Sequence, residues 1–256
     1  MKRSIVATAA ASLILSLTGL AGCSGEPQAA AGPTAETSGW VTPPMVDSVV
    51  RNGASLLVRG RAAPLGRVVL RSAATAYAVG ADDEGRFELR IAAPPTDTLF
   101  VVEAQTGEDA APAPYRMLVS RDPAGPVALL AAGAASRRLD PAPALDVIDS
   151  DGRVLAVSGR TTPGRRVAVS IPGAAPVAAV ADATGRWTVM LDAVDGGAAT
   201  VTVAGSAFAY PGSAPAAPGA AGTLVVRAGE GWRINWSIGS RARQSSWFPD
   251  RRAPRP

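Results

Sequence analysis

The chain has 256 residues, with 25 Lys and Arg against 21 Asp and Glu, no His and a single Cys. That inventory excludes an imidazole base, a His metal ligand, an intrachain disulfide and a thiolate zinc cage. Apolar residues reach 47% but aromatics only 5%, and 27 Gly with 22 Pro favour short elements joined by turns, so any core is light.

Residues 1–22 read as a signal peptide. Met1-Lys2-Arg3 supplies a positive start, and residues 4–17 form an apolar stretch too short and too rich in Ala and Ser for a membrane span. The stretch leads into Leu20-Ala21-Gly22-Cys23, which holds the chain's only Cys. This tetrapeptide resembles the bacterial lipobox, where signal peptidase II cuts before a diacylglyceryl-modified cysteine; an ordinary secretory signal with a chance Cys is the competing reading. The resemblance implies that Cys23 is the lipid attachment site and that acyl chains hold the protein on a membrane of the bacterial cell envelope. Ser24 stands where lipoproteins retained in the inner membrane carry Asp, which implies the outer membrane, facing the periplasm.

Residues 23–44 are rich in Ala, Gly, Pro, Ser and Thr, with Trp40 as their only aromatic residue. Such a segment cannot bury enough apolar surface to fold alone and reads as a flexible tether, reaching roughly 25 Å on average.

An internal repeat follows. The stretch 46–70 matches 145–169 at an offset of 99 residues, with nine identities that include Asp47/Asp146, Gly60/Gly159, Arg61/Arg160 and Val68/Val167. At an offset of 100, Ala81-Asp82-Asp83-Glu84-Gly85-Arg86-Phe87 lies over Ala181-Asp182-Ala183-Thr184-Gly185-Arg186-Trp187, and Val101 lies over Val201. Apolar positions alternate in each copy: Leu56/Val58, Val68/Leu70, Phe87/Leu89/Ile91 and Leu99/Val101 in the first, with counterparts in the second. Period two between Gly, Asn and Asp turn signals predicts strands with one buried face. The frame Val-x-Gly-Arg-x-x-Pro-x-x-Arg-Val, followed by Ala-Asp-x-x-Gly-Arg-Phe/Trp, resembles the bacterial immunoglobulin-like modules of cell-envelope proteins and, more loosely, carboxypeptidase-regulatory-like domains. The resemblance implies an all-β chain of two tandem immunoglobulin-like β-sandwich domains, at 45–140 and 141–248, before a basic, Pro-rich tail at 249–256.

Each copy continues past the matched region. Val127, Leu129 and Ala131 align with Trp232, Ile234 and Trp236, which predicts a terminal hairpin in each. Trp232, Ile234 and Trp236 share one strand face, which either closes the second core or forms a sugar-stacking platform. Trp247 and Phe248 are harder to place, because adjacent strand residues point to opposite faces. They lie beside Arg241, Arg243, Arg251 and Arg252, a basic stretch able to contact an anionic envelope polymer or an acidic protein face, or simply to remain solvated.

The cluster Asp82-Asp83-Glu84 offers carboxylates for calcium, but the second copy keeps the turn residues and loses two acids, so a strand-connecting turn is expected and no metal site. Removing the signal removes Lys2, the only Lys, which leaves a Ser nucleophile without an ordinary base, and no phosphate-cradling Gly loop is present. The expected function is therefore a non-catalytic lipoprotein without cofactor, presenting its domains to an envelope protein or serving as a structural spacer, and not binding nucleic acid. Peptidoglycan binding through Trp247, Phe248 and the tail arginines is the alternative.

Overall fold

Short alternating runs broken by Gly and Asp become strands throughout, and the computed structural model is all-β. It describes residues 42–107, 109–192, 197–213, 222–238 and 242–251. The signal segment, Cys23, most of the tether, Arg241 and Arg252 lie outside these residues. Among the described residues no helix is long and apolar enough to cross a membrane.

The first copy folds into β1 (Met45–Asn52), β2 (Ser55–Arg61), β3 (Arg67–Arg71), β4 (Ala76–Gly80), β5 (Arg86–Ala92), β6 (Thr98–Thr106), β7 (Asp109–Val119), β8 (Val127–Ala131) and β9 (Arg137–Arg138). The second gives β10 (Leu145–Ser150), β11 (Val154–Arg160), β12 (Arg166–Ser170), β13 (Val177–Val180), β14 (Arg186–Asp192), β15 (Ala199–Val203), β16 (Ser206–Tyr210), β17 (Leu224–Arg227), β18 (Gly231–Ile238) and β19 (Ala242–Pro249). They form four antiparallel sheets, ordered β1-β2-β5, β4-β3-β6-β7-β8-β9, β14-β11-β10-β19-β18-β17 and β13-β12-β15-β16.

Each copy has its own core, shared by two sheets. In the first, Val46, Leu56, Val58, Phe87 and Ile91 pack against Val68, Leu70, Phe100, Val102 and Met117. In the second, Ile148, Leu155, Val157 and Trp187 pack against Val167, Val169, Val201, Phe208 and Tyr210. The repeat is thus a repeat of pairing: β1-β2-β5 corresponds to β10-β11-β14, and β4-β3-β6-β7 to β13-β12-β15-β16.

Shared residues explain themselves by contact. Gly60 pairs with Phe87 and Gly159 with Trp187. A Cβ at Gly60 would lie 2.1 Å from the Met45 carbonyl oxygen and 2.6 Å from the Phe87 ring; at Gly159 it would lie 2.0 Å from the Ala144 oxygen and 2.5 Å from the Trp187 ring. Only glycine lets the ring lie across its strand. In the turn before β5, Asp82 Oδ1 accepts the backbone N–H of Glu84 (3.1 Å) and of Arg86 (2.7 Å), and Gly85 takes φ +79°. Asp182 makes the same turn, accepting from Thr184 N and Arg186 N at 2.8 and 2.9 Å, with Gly185 at φ +78°.

Two expectations need correction. Within β6 the core face is Phe100, Val102 and Ala104, whereas Leu99 and Val101 are only partly buried. Leu70 pairs with Val102 and Val169 with Val203, so the true offset on this strand is 101 and the Val101/Val201 match is one residue out. Leu99-Phe100-Val101-Val102 is unbroken apolar sequence, and a one-residue slip exchanges the two faces without disturbing it. The terminal segments also differ. β8 and β9 extend the sheet containing β7, whereas β17, β18 and β19 extend the sheet containing β10. The alignment of Val127-Leu129-Ala131 with Trp232-Ile234-Trp236 therefore joins strands that occupy different places in the two copies.

Candidate functional site: the junction between the repeats

The two extensions meet. Leu118, Ala128 and Leu130 of the first copy bury themselves against Val147, Trp232, Ile234, Trp236 and Phe248 of the second, a third apolar cluster separate from both repeat cores. Alternation makes this possible: Trp247 enters the second core, and its neighbour Phe248 points the opposite way into the junction.

Polar groups continue the contact. The Arg138 side chain is fully buried, donating through Nε and Nη2 to the two Asp140 oxygens at 3.1 and 3.2 Å, and through Nη1 to the Pro249 carbonyl. Asp140 also accepts the Val127 backbone N–H (3.0 Å) and Arg251 Nε (2.7 Å). Arg251 then reaches the carbonyls of Pro123 and Gly125, each at 3.1 Å. Nearby, Arg160 binds Asp146 at 2.9 Å and the Asp140 carbonyl at 3.0 Å. Asp149 accepts the Ser136 backbone N–H at 2.6 Å and the Ser246 hydroxyl. Ser158 closes this part by donating to the Ser136 carbonyl at 3.2 Å.

Burial pushes the Asp146 carboxyl above its ordinary range, against the pull of Arg160. Burial does the same to Asp149, against hydrogen bonds from Ser246, Ser136 and Gln244. These acids are structural acceptors, because both Asp149 oxygens are taken up by donors from the two repeats. A groove of about 520 Å³ opens beside Asp149, walled by Ala134, Val154, Ala156, Met190, Ile238 and Gln244.

The residues singled out from sequence are distributed as follows. Trp247 is 1% exposed and Phe248 0%, so neither presents a face to a sugar. Trp232 and Trp236 are buried as well, in the junction and not in the second core. Arg251 is held in the ion pair with Asp140 and is no part of a solvated tail. Arg243 donates to Ser237 Oγ and the Gly222 carbonyl, both at 3.4 Å. Asp82, Asp83 and Glu84 place carboxylate oxygens within 4.8 Å of one another, but Asp82 closes its turn and both Asp82 and Glu84 pair with Arg86.

Sequence reasoning missed the buried Arg138, Asp140 and Asp149. One signal was present: Val127-Ala128-Leu129-Leu130 is an unbroken apolar run, the mark of a strand covered on both faces. No protein-family model matches the chain, and no curated protein matches it.

Proposed function

We propose that this chain is a non-catalytic lipoprotein of the bacterial cell envelope, anchored through Cys23 by a flexible tether, whose two immunoglobulin-like sandwiches act as one rigid body. The observation that carries this reading is the junction: a buried apolar cluster with Arg138, Asp140, Asp146 and Asp149 around it. Domains joined only by a linker are expected to move relative to each other, whereas a large apolar contact holds them fixed. The spacing between the tether and the far end of the second repeat is then a property of the fold, suited to structural positioning or to presenting a surface to an envelope partner.

The sandwich assignment is supported by strand order. In both repeats strands one, two and five form one sheet and strands four, three, six and seven the other, the Greek-key partition of immunoglobulin-like domains. A ring of four separate blades would draw each sheet from consecutive strands with its own packing. Here the sheets share cores in pairs. The lipobox-like tetrapeptide, with the only Cys in the chain, supports the anchor.

Metabolic palmitate labelling with membrane fractionation tests this reading. The wild-type chain is expected to carry label and fractionate with outer membranes, and Cys23→Ala to lose both. An unlabelled wild-type protein would remove the anchor and the positioning role with it.

A further inference from the structure

The frame shared by the two repeats puts one strand edge in two different situations. In the second repeat β10 carries an irregularity between Leu145 and Val147, and beyond it β19 pairs along the open edge: Ile148 with Trp247, Asp149 with Ser246, Ser150 with Ser245. In the first repeat β1 has the same irregularity, between Val46 and Ser48, but among the described residues it pairs with β2 alone. The counterparts of the paired residues are Val49, Val50 and Arg51. So β14-β11-β10 grows to six strands through β19-β18-β17, whereas β5-β2-β1 stops at three.

Among the described residues this edge is capped at one end and pairs with no strand along the rest. The Tyr115 hydroxyl accepts the Val46 N–H at 2.8 Å and donates to the Pro44 carbonyl at 2.7 Å, which caps the start of the strand. Farther on, the Arg51 guanidinium turns to the Ser120 carbonyl at 2.7 Å. The hairpin closes at Asn52 and Ser55, so ladder alternation aims the main-chain groups of Val49 and Arg51 away from β2. Val50, between them, is 50% exposed.

We propose that β1 pairs along this edge with β1 of a second copy, antiparallel about a two-fold axis at Val50. Val49 of each copy then meets Arg51 of the other, and the two Val50 side chains cover each other as a directly opposed pair. The product, β5-β2-β1-β1-β2-β5, repeats between chains the three-plus-three sheet that the second repeat builds within one. The bulge at Asp47 does not prevent it, since the matching bulge at Asp146 leaves β10 free to receive β19. A contact of one strand pair is small, and the association is weak, in the micromolar to millimolar range.

Sedimentation velocity on the full chain carrying Cys23→Ser, over a concentration series, tests the pairing. A reversible monomer–dimer equilibrium is expected. Val50→Glu, which sets two carboxylates side by side, weakens it at least about tenfold with an unchanged melting curve. Met190→Glu, the same charge change at a 61% exposed apolar residue of β14, leaves it unaltered. Val50→Cys gives a reducible covalent dimer on mild oxidation. A chain that stays monomeric throughout, a dimer that survives Val50→Glu, or one weakened equally by Met190→Glu would overturn the proposal.

Discussion

The two repeats share seven strands in one arrangement and then diverge, each growing from a different sheet edge. The first adds β8 and β9 beside β7; the second adds β19, β18 and β17 beside β10. Leu118 and Val147 aside, the buried residues of the apolar junction come from the added strands: Ala128, Leu130, Trp232, Ile234, Trp236 and Phe248. The repeated part makes a core in each copy, and the part that is not repeated makes the contact between the two.

Separating the two kinds of core is the strongest way to break that comparison. Trp247→Ala and Phe248→Ala remove adjacent side chains of one strand, each fully buried and each expected to cost about 3–5 kcal/mol. Their signatures differ. Trp247 packs edge-on to Tyr210 inside the second repeat and donates to the Ala228 carbonyl at 2.9 Å, so its loss lowers the stability of that repeat. Phe248 serves the junction, so its loss splits one cooperative unfolding transition into two. Differential scanning calorimetry distinguishes them, and a single transition in Phe248→Ala would mean that the repeats are held together by the polar network instead.

That network has its own test, with a somewhat smaller effect. Asp140→Ala strands the buried Arg138 guanidinium with only the Pro249 carbonyl and leaves Arg251 without its carboxylate partner, at an expected cost of about 3 kcal/mol. Arg138→Met combined with Asp140→Leu removes both charges, and chemical denaturation should show most of that loss recovered, because an apolar pair of similar volume has no desolvation cost to offset. The first repeat supplies the contrast. The counterpart of Asp146 is Asp47, and its pair with Arg61 is exposed on both sides, at 40% and 62%. Pairs of that kind contribute about 0–1 kcal/mol.

How far the sequence carried follows the same division. Strands with one wet face were legible, because β2, β5 and β14 alternate between buried and partly or fully exposed positions. The paired Gly60 and Gly159 and the Asp82 and Asp182 turns announced themselves by recurring. What was illegible is covered on both faces: β8 and β10 are buried along almost their whole length, and period two vanishes where both sides are dry. Trp247-Phe248 beside a basic tail was hard to place, because adjacent bulky residues on one strand imply two cores when both are buried. Single-sequence patterning has no means of naming the second core, since its other half lies more than a hundred residues away.

The smallest effect expected is a pH dependence, and its sign follows from the junction. Asp146 and Asp149 have folded-state values raised by burial, so the folded chain takes up their protons before the unfolded chain does. Stability from these two groups therefore rises as pH falls from neutrality toward about 4, the ordinary carboxylate value, and then levels off. Asp82, Asp151, Asp182 and Asp250 run the other way. Their values are lowered, chiefly by hydrogen bonds, so the stability they contribute is intact above about pH 4 and is lost below it. Melting temperatures are expected to climb modestly as pH falls from 7 toward about 4 and to fall below it. Asp149→Asn should flatten the climb while leaving the acid limb in place, because the aspartates with lowered values do not share its hydrogen bonds. A steady decline from pH 7 downward would mean that the two junction carboxylates gain more from their donors than burial takes from them.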